Sequence, residues 1–382
     1  MKVKISEVCE QIRGVSYKPS DVLDSLTGIP ILRANNISDG TINYDNLVYI
    51  KKERISSKQI LKKGDILICT SSGSKNLVGK AGLIEKDVLI SSFGAFCRVL
   101  RAHDISSEYL FHYFCSNAYK NRISSLSEGA NINNIRNEHI NVLEIPIYPL
   151  EEEKKLLKVL NVTKSLILRR KQQLTKLNEL AKSRFIEMFG DDCSKVNPLE
   201  KFCDFIRNGV NIKQSKDSGG YPITRIETIS NDVFNFDRLG YAGIFTLDKY
   251  ADYVLHKGDI LISHINSEKY LGRVVQYKGT QKIIHGMNLL CLRPKGSEIA
   301  TFLEYYLKSR IAKEYVSKIT KKAVNQASFS VSDYKNLPVK IVSKEKCTAF
   351  NSFIEQLDKS KFRAKKCLKL FSYMRHLRII GI

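Results

Sequence analysis

Three kinds of polar cluster in this 382-residue chain have the side chains that grip a polyanion and read base edges. The first is Thr70-Ser71-Ser72-Gly73-Ser74-Lys75-Asn76, followed by Lys80. Its small residues allow close approach, its ammonium groups suit phosphates, and its hydroxyls and amide can donate to and accept from base edges. Ser71, Ser72, Ser74, Lys75, Asn76 and Lys80 are the candidates here. A stretch in the second half, Ser263-His264-Ile265-Asn266-Ser267-Glu268-Lys269 with Arg273, offers His264, Asn266, Lys269 and Arg273. The second kind is the pair Arg33-Ala34-Asn35-Asn36 and Arg225-Ile226-Glu227. Arg suits guanine and Asn suits adenine in bidentate contacts, which nominates Arg33, Asn35, Asn36 and Arg225. The competing reading is an arginine satisfied by a local carboxylate. The third kind is two polar loops, 131–136 and 321–328. They contribute Asn133 and Arg136, and Lys321, Lys322, Asn325 and Gln326.

Catalytic signatures are weaker. Gly73-Ser74-Lys75-Asn76-Leu77-Val78-Gly79-Lys80-Ala81 has one residue too many for a P-loop, and Ala81 stands where the hydroxyl belongs. Asn197-Pro198-Leu199 lacks the second proline and aromatic ring that would hold a base amine for methylation. Glu268-Lys269 has no companion aspartate for a nuclease, and neither H-E-x-x-H nor G-x-S-x-G occurs. Nine scattered cysteines form no C-x-x-C, so they read as buried thiols in a reducing compartment, with no metal site. No residue is assigned a catalytic role.

The bulk numbers agree with a reader of a polyanion. Lys and Arg total 62 against 39 acidic residues, for a formal charge of +23. Such an excess favours nucleic acid first and an acidic membrane surface second. A hydrophobic content of 43% excludes wholesale disorder. No apolar run reaches the ~18 residues of a membrane span, and Met1 to Glu7 lacks a signal-peptide core, so a cytoplasmic protein is expected.

The elements that must position these clusters recur at an offset of 192–194 residues. Ile5-Ser6-Glu7-Val8-Cys9 is echoed by Leu199-Glu200-Lys201-Phe202-Cys203, and Ile29-Pro30-Ile31-Leu32-Arg33 by Tyr221-Pro222-Ile223-Thr224-Arg225. Lys63-Gly64-Asp65-Ile66-Leu67-Ile68 returns as Lys257-Gly258-Asp259-Ile260-Leu261-Ile262. Tyr109, Leu110 and Tyr113 match Phe302, Leu303 and Tyr306, and Glu144-Ile145-Pro146-Ile147 matches Asn336-Leu337-Pro338-Val339. One common word can recur by chance; five in the same order indicate two similar domains. Each half reads as short strands, a helical piece (Ser107 to Ser116, and Thr301 to Tyr315), a strand at a proline, and a long helix.

The first long helix is expected from about Glu151 to Phe189, with acidic residues at its start and Gly190 beyond its end. Leu160, Ile167, Leu174, Ala181 and Met188 recur every seven residues, a coiled-coil spacing. The second runs from near Lys344 to about Arg378, with Phe350 and Leu357 on one seam. The simplest arrangement packs the two helices antiparallel between two heads. The expected fold is α+β: two β-rich globular domains separated by two long antiparallel, coiled-coil-like helices with a pseudo-two-fold repeat. The expected boundaries are 1–150, 151–190, 191–343 and 344–382.

With those residues in view, the whole chain resembles the specificity subunit of type I restriction–modification systems. The resemblance rests on Pro30-Ile31-Leu32-Arg33-Ala34-Asn35-Asn36-Ile37, Lys63-Gly64-Asp65-Ile66-Leu67, Glu144-Ile145-Pro146-Ile147-Tyr148-Pro149-Leu150 and the helix end Phe185-Ile186-Glu187-Met188-Phe189-Gly190, together with the duplication. The second half departs at Thr224-Arg225-Ile226-Glu227 and at Leu377-Arg378-Ile379-Ile380-Gly381. The resemblance implies two target recognition domains, each reading half of a split sequence in double-stranded DNA, with the helices setting the spacing. It implies no cofactor in this subunit. Two modification subunits would bring S-adenosylmethionine, and restriction subunits, where present, would use ATP and Mg. Leu160, Ile167, Leu174, Phe350 and Leu357 are the expected docking positions for them. The other classes weighed are a coiled-coil scaffold that binds nucleic acid without sequence preference, and an orphan DNA methyltransferase.

Overall fold

Each half of the chain is built outward from its Lys-Gly-Asp-Ile-Leu-Ile string. In the computed structural model Gly64 and Gly258 take φ of 90° and 104°, a turn that glycine makes without strain. The aspartate that follows is 1% exposed in both halves. The backbone N–H groups of Lys62 and His256 donate to these carboxylates, each at 2.8 Å. An arginine from the neighbouring strand closes the site: Nε and Nη2 of Arg101 and of Arg293 donate to the two carboxylate oxygens, all at 2.8 Å. This is the bidentate, charge-assisted geometry that fixes orientation as well as energy. Ile-Leu-Ile then runs into a strand buried along its length.

Those strands lie inside two four-stranded sheets. The first contains Cys9–Arg13 (β1), Ile66–Cys69 (β2), Ala81–Leu83 (β3) and Cys97–Ala102 (β4). The second contains Cys203–Asn208 (β5), Ile260–Ile262 (β6), Val274–Gln276 (β7) and Leu290–Pro294 (β8). The spatial orders are β1-β4-β2-β3 and β5-β8-β6-β7, all antiparallel, so the two sheets share one topology. Alternate residues feed opposite faces. Ile66, Ile68 and Leu100 pack with Tyr109 and Leu110, while Leu67 and Val99 pack with Leu32 and Phe93. Ile260, Ile262 and Leu292 meet Phe302 and Leu303, while Leu261 and Cys291 meet Tyr277.

The first helical piece is found at Ser107–Phe114, and a further helix, Asn117–Ser127, follows it; the second is divided into Ser297–Leu307 and Arg310–Ile319. The breaks fall at Ser116 and Ser309, whose hydroxyls accept from the N–H of Tyr119 (3.1 Å) and Ala312 (3.4 Å) and so cap a new helix. The proline strands are present. Lys2–Lys4 pairs with Glu144–Pro146, and Val196–Pro198 with Pro338–Lys340, both antiparallel; Pro146 faces Lys2, whereas Pro338 faces Pro198. A tyrosine hydroxyl holds each proline carbonyl, Tyr109 on Pro146 (2.9 Å) and Tyr306 on Pro338 (2.8 Å). Tyr306 matches Tyr113 by sequence offset, but its role in the first half belongs to Tyr109, one helical turn earlier.

The long helices span Leu150–Phe189 and Lys344–Ile379. Gly190 ends the first with φ of 74°. The chain divides into two units, residues 1–172 with 364–382, and 173–363, so both helices contribute to both units. In the first, Leu160 is fully buried among Tyr109, Phe111 and Ile145. In the second, the Phe350 ring lies 5.6 Å from Phe185, 5.5 Å from Phe189 and 5.1 Å from Tyr305. Arg184 lies over Phe353, so here the helices run antiparallel. This corrects part of the docking expectation. Leu160, Phe350 and Leu357 are buried in the cores of their own units, because the apolar stripe of each helix is what fastens it to the unit it serves. Ile167 and Leu174 are half-buried.

In each unit an ion pair links the long helix to the segment that follows the last strand of the sheet order, β3 or β7. In the first, Lys164 of the helix meets Glu85 at 2.6 Å. In the second, Asp358 of the helix meets Lys278 at 2.7 Å. The positions correspond by the repeat, and the charges are exchanged. The structure describes all residues except 26, 39, 74–76, 87–89, 128–133, 191–194, 216–218, 323–325 and 380–382. Among the described residues no helix is long and apolar enough to cross a membrane.

Candidate nucleic-acid interface

The loop that leaves β2 and the loop that precedes the proline strand are far apart in sequence, yet they lie side by side. Ser71 forms an antiparallel bridge with Asn134, and the Ile135 N–H donates to the Thr70 carbonyl at 2.6 Å. In the second unit Ile265–Asn266 pairs with Ala327–Ser328, which pairs in turn with Lys321–Lys322. There the Phe329 N–H donates to the His264 carbonyl at 3.2 Å. Both hydrogen bonds fall at corresponding positions, 194 residues apart. Two of the three sequence clusters are therefore brought together in each unit, on the same frame with different side chains.

Among the described residues, the exposed groups on these paired loops include Lys80, Asn134 and Arg136 in the first unit, and Lys269, Lys321, Lys322 and Gln326 in the second; Ser71, Ser72, Asn266 and Arg273 are half-buried. Several are already oriented. Arg136 reaches Glu138 at 3.4 Å and Lys322 reaches Glu268 at 2.7 Å. Arg273 lies 4.3 Å and Lys269 5.5 Å from the Tyr270 ring. Asn266 spends its amide locally, donating to Ser263 Oγ (3.1 Å) and accepting from the Ser267 N–H (2.8 Å). Ser74, Lys75, Asn76, Asn133 and Asn325 lie outside the described residues.

The arginine clusters are matched turn anchors. The Arg33 N–H donates to Asn36 Oδ1 (2.9 Å), and the Arg225 N–H to Thr228 Oγ1 (2.8 Å). Asn36 is fully buried and gives its amide to Asn43 Oδ1 (3.2 Å) and the Asp45 carbonyl (2.9 Å). It therefore shapes the turn and is not available to a ligand. Asn35 is exposed. Arg33 donates through Nη2 to the Asn46 carbonyl (2.9 Å). Arg225 stands 3.7 Å from Glu227, the local carboxylate that the competing reading named.

His264 is a second correction. It is buried against Phe329, and Thr70 takes its place in the first unit. It supports the loop from beneath. Burial holds its imidazole at about 4 and that of His285 also at about 4, below the usual 6.5. Between those values an unfolded chain takes up protons that the folded imidazoles refuse, so stability falls as pH drops from about 6.5 towards 4. Urea midpoints measured across that window are expected to decline less steeply in His264→Asn and His285→Asn. Equal slopes in wild type and both variants would refute this account.

The structure adds residues that sequence reading passed over. Phe96, 69% exposed, sits where its carbonyl accepts the N–H of both Thr70 (2.9 Å) and Ser71 (3.1 Å). Arg13 and Arg98, at the ends of β1 and β4, stand opposite each other beside the same turn. Neither lies in a polar loop, which is why a search for polar loops misses them.

Comparison with known proteins decides the family. The model for the type I restriction modification DNA specificity domain matches residues 1–179 and 194–369. The chain belongs to this family. The chain is 29% identical over 362 residues to the EcoKI specificity subunit of Escherichia coli K12, covering 87% of this chain and 76% of that protein. It is 43% identical over 153 residues to the StySPI specificity subunit of Salmonella potsdam, covering 39% of this chain and 33% of that protein. The crystal structure of a type I restriction–modification S subunit from M. genitalium has a TM-score of 0.54 at 15% identity, covering 99% of this chain and 94% of that one. A chain from a type I R-M system structure has a TM-score of 0.52 at 18% identity, with 99% and 96% covered. These two show the shared fold. In this specificity subunit the two matched segments are the two recognition domains, and each carries one pair of adjoining loops.

Proposed function

We propose that the two recognition domains each read one half of a bipartite sequence in double-stranded DNA, through the adjoining loops that follow β2 and β6. The observation that carries this is the equal placement of those loops on one frame with unequal residues: Ser71 and Asn134 in one, Asn266, Lys322 and Gln326 in the other. A frame kept constant with varied loops fits two readers of different sequences. The chain performs no chemistry of its own. Two modification subunits supply methyl transfer from S-adenosylmethionine, restriction subunits supply ATP- and Mg-dependent cleavage where they join, and the complex works in the cytoplasm.

The test assembles the full chain with modification subunits and maps methylated sites by sequencing. Ser71→Ala with Asn134→Ala is expected to relax one half of the site, and Lys322→Ala with Gln326→Ala the other. A lost bidentate base contact costs about 1–3 kcal/mol of discrimination. Relaxation of both halves by one pair, no methylation by the assembled complex, or methyl transfer by the chain alone would each sink the reading.

A further inference from the structure

In the antiparallel register of β1 and β4, Arg98 stands directly opposite Arg13. Like charges facing across a sheet are destabilising, and Arg13 acts on Arg98 as a neighbouring like charge. The rest of this ladder answers its charges. Three residues further along β4, Arg101 holds the buried Asp65, and its cross-strand neighbour Glu10 holds Lys58. Arg13 and Arg98 form no ion pair among the described residues. Arg98 Nε is buried with no acceptor. Burial, and then Arg13 beside it, push the Arg98 guanidinium below its ordinary range. On the same strand face, two residues from Arg13, lies Gln11. It is uncharged, and its amide nitrogen is held by Asn141 Oδ1 at 2.5 Å.

The corresponding positions of the second unit hold no cation. Arg293 matches Arg101, which puts Leu290 in the place of Arg98, and a bulge between Cys203 and Phe205 sets Asn208 opposite Leu290. Arg207 stands one position along, opposite Cys291, where it lies 4.2 Å from the Phe205 ring and 5.0 Å from Tyr253 and donates to the Asp252 carbonyl. The two facing cations belong to the first unit. Their position matters too. β4 begins immediately after Phe96, whose carbonyl holds the Ser71 loop.

We infer that Arg13 and Arg98 form a two-arginine grip for one backbone phosphate, bordering the reading loops of the first unit and without an equivalent at this register in the second. The inference rests on the DNA-reading function proposed above. A phosphate accepts several N–H bonds from planar guanidinium forks, and it would relieve the repulsion that the folded chain otherwise carries.

The test measures binding of the full chain to a mixed-sequence DNA duplex over a range of KCl concentrations, where phosphate contacts supply essentially all the affinity. Arg13→Gln and Arg98→Gln are each expected to lower the slope of log affinity against log salt by about 0.9, the value for one phosphate contact. The double variant should lose no more than the singles, since both residues serve one phosphate. Arg98→Lys, which keeps the charge, should restore most of the slope. Thermal melting of the double variant should match or exceed wild type, because a like-charge contact is removed. Unchanged slopes in both single variants, or a loss confined to one DNA sequence, overturn the grip and leave the DNA reading standing. Failure of the wild-type chain to bind any duplex would bring both down.

Discussion

Asp65→Ala is expected to cost about 3–5 kcal/mol of stability, and Asp259→Ala about the same, the usual penalty for stripping one partner from a buried ion pair. Each aspartate side chain is 1% exposed, and the arginines that meet them are only 20% and 24% exposed. Removing the carboxylate leaves a guanidinium with two unmet donors in a partly dry site, and a backbone N–H at the turn loses its acceptor as well. Removing both partners is a different experiment. Asp65→Ala with Arg101→Met should recover much of the loss, since the uncompensated charge goes with the arginine. Urea unfolding, with hydrogen exchange at the amides of β2 or β6 to localise the damage, reads the effect. A cost below about 1 kcal/mol would put the pair among exposed salt bridges, contrary to its burial.

Phe350→Ala comes second, at about 3–5 kcal/mol for a buried aromatic cut to a methyl. The ring touches Phe185 and Phe189 from the first long helix and Tyr305 from the sheet-backing helix, and it is fully buried. Its loss opens a cavity where both long helices meet in the second unit. The measurement separates two roles for the seam. If Phe350 served a partner, the variant would leave the free chain as stable as wild type and weaken only its assembly with modification subunits. A core residue instead lowers the unfolding midpoint of the free chain, and protease attack near the start of the second helix should accelerate.

Much of the frame was legible in the sequence because duplication makes local patterns check one another. The Lys-Gly-Asp-Ile-Leu-Ile string carries its own explanation: a glycine for the turn, an aspartate to bond back, and three apolar residues for a buried strand. Both long helices announced themselves by spacing and by Gly190. Local chemistry did not reveal burial. Asn36 and His264 have side chains suited to DNA, yet their surroundings come from Asn43, Asp45 and Phe329, whose approach is settled by tertiary structure. The seven-residue stripe of Leu160 and Phe350 shows that a face is covered and not what covers it. Arg13 and Arg98 meet through a strand register spanning 85 residues of chain, which no window of sequence contains.

The exchanged ion pairs, Glu85 with Lys164 and Lys278 with Asp358, bear on correct assembly of a duplicated chain. Two sheets of one topology, each with its own long helix, face an ambiguity while folding, since either sheet can try either helix. In the mismatched arrangement Glu85 would confront Asp358 and Lys278 would confront Lys164. An exposed pair is worth about 0–1 kcal/mol, so trading two attractions for two repulsions separates right from wrong by roughly twice to four times that amount. A chain made of near copies thus carries a polarity code that tells each copy which helix is its own.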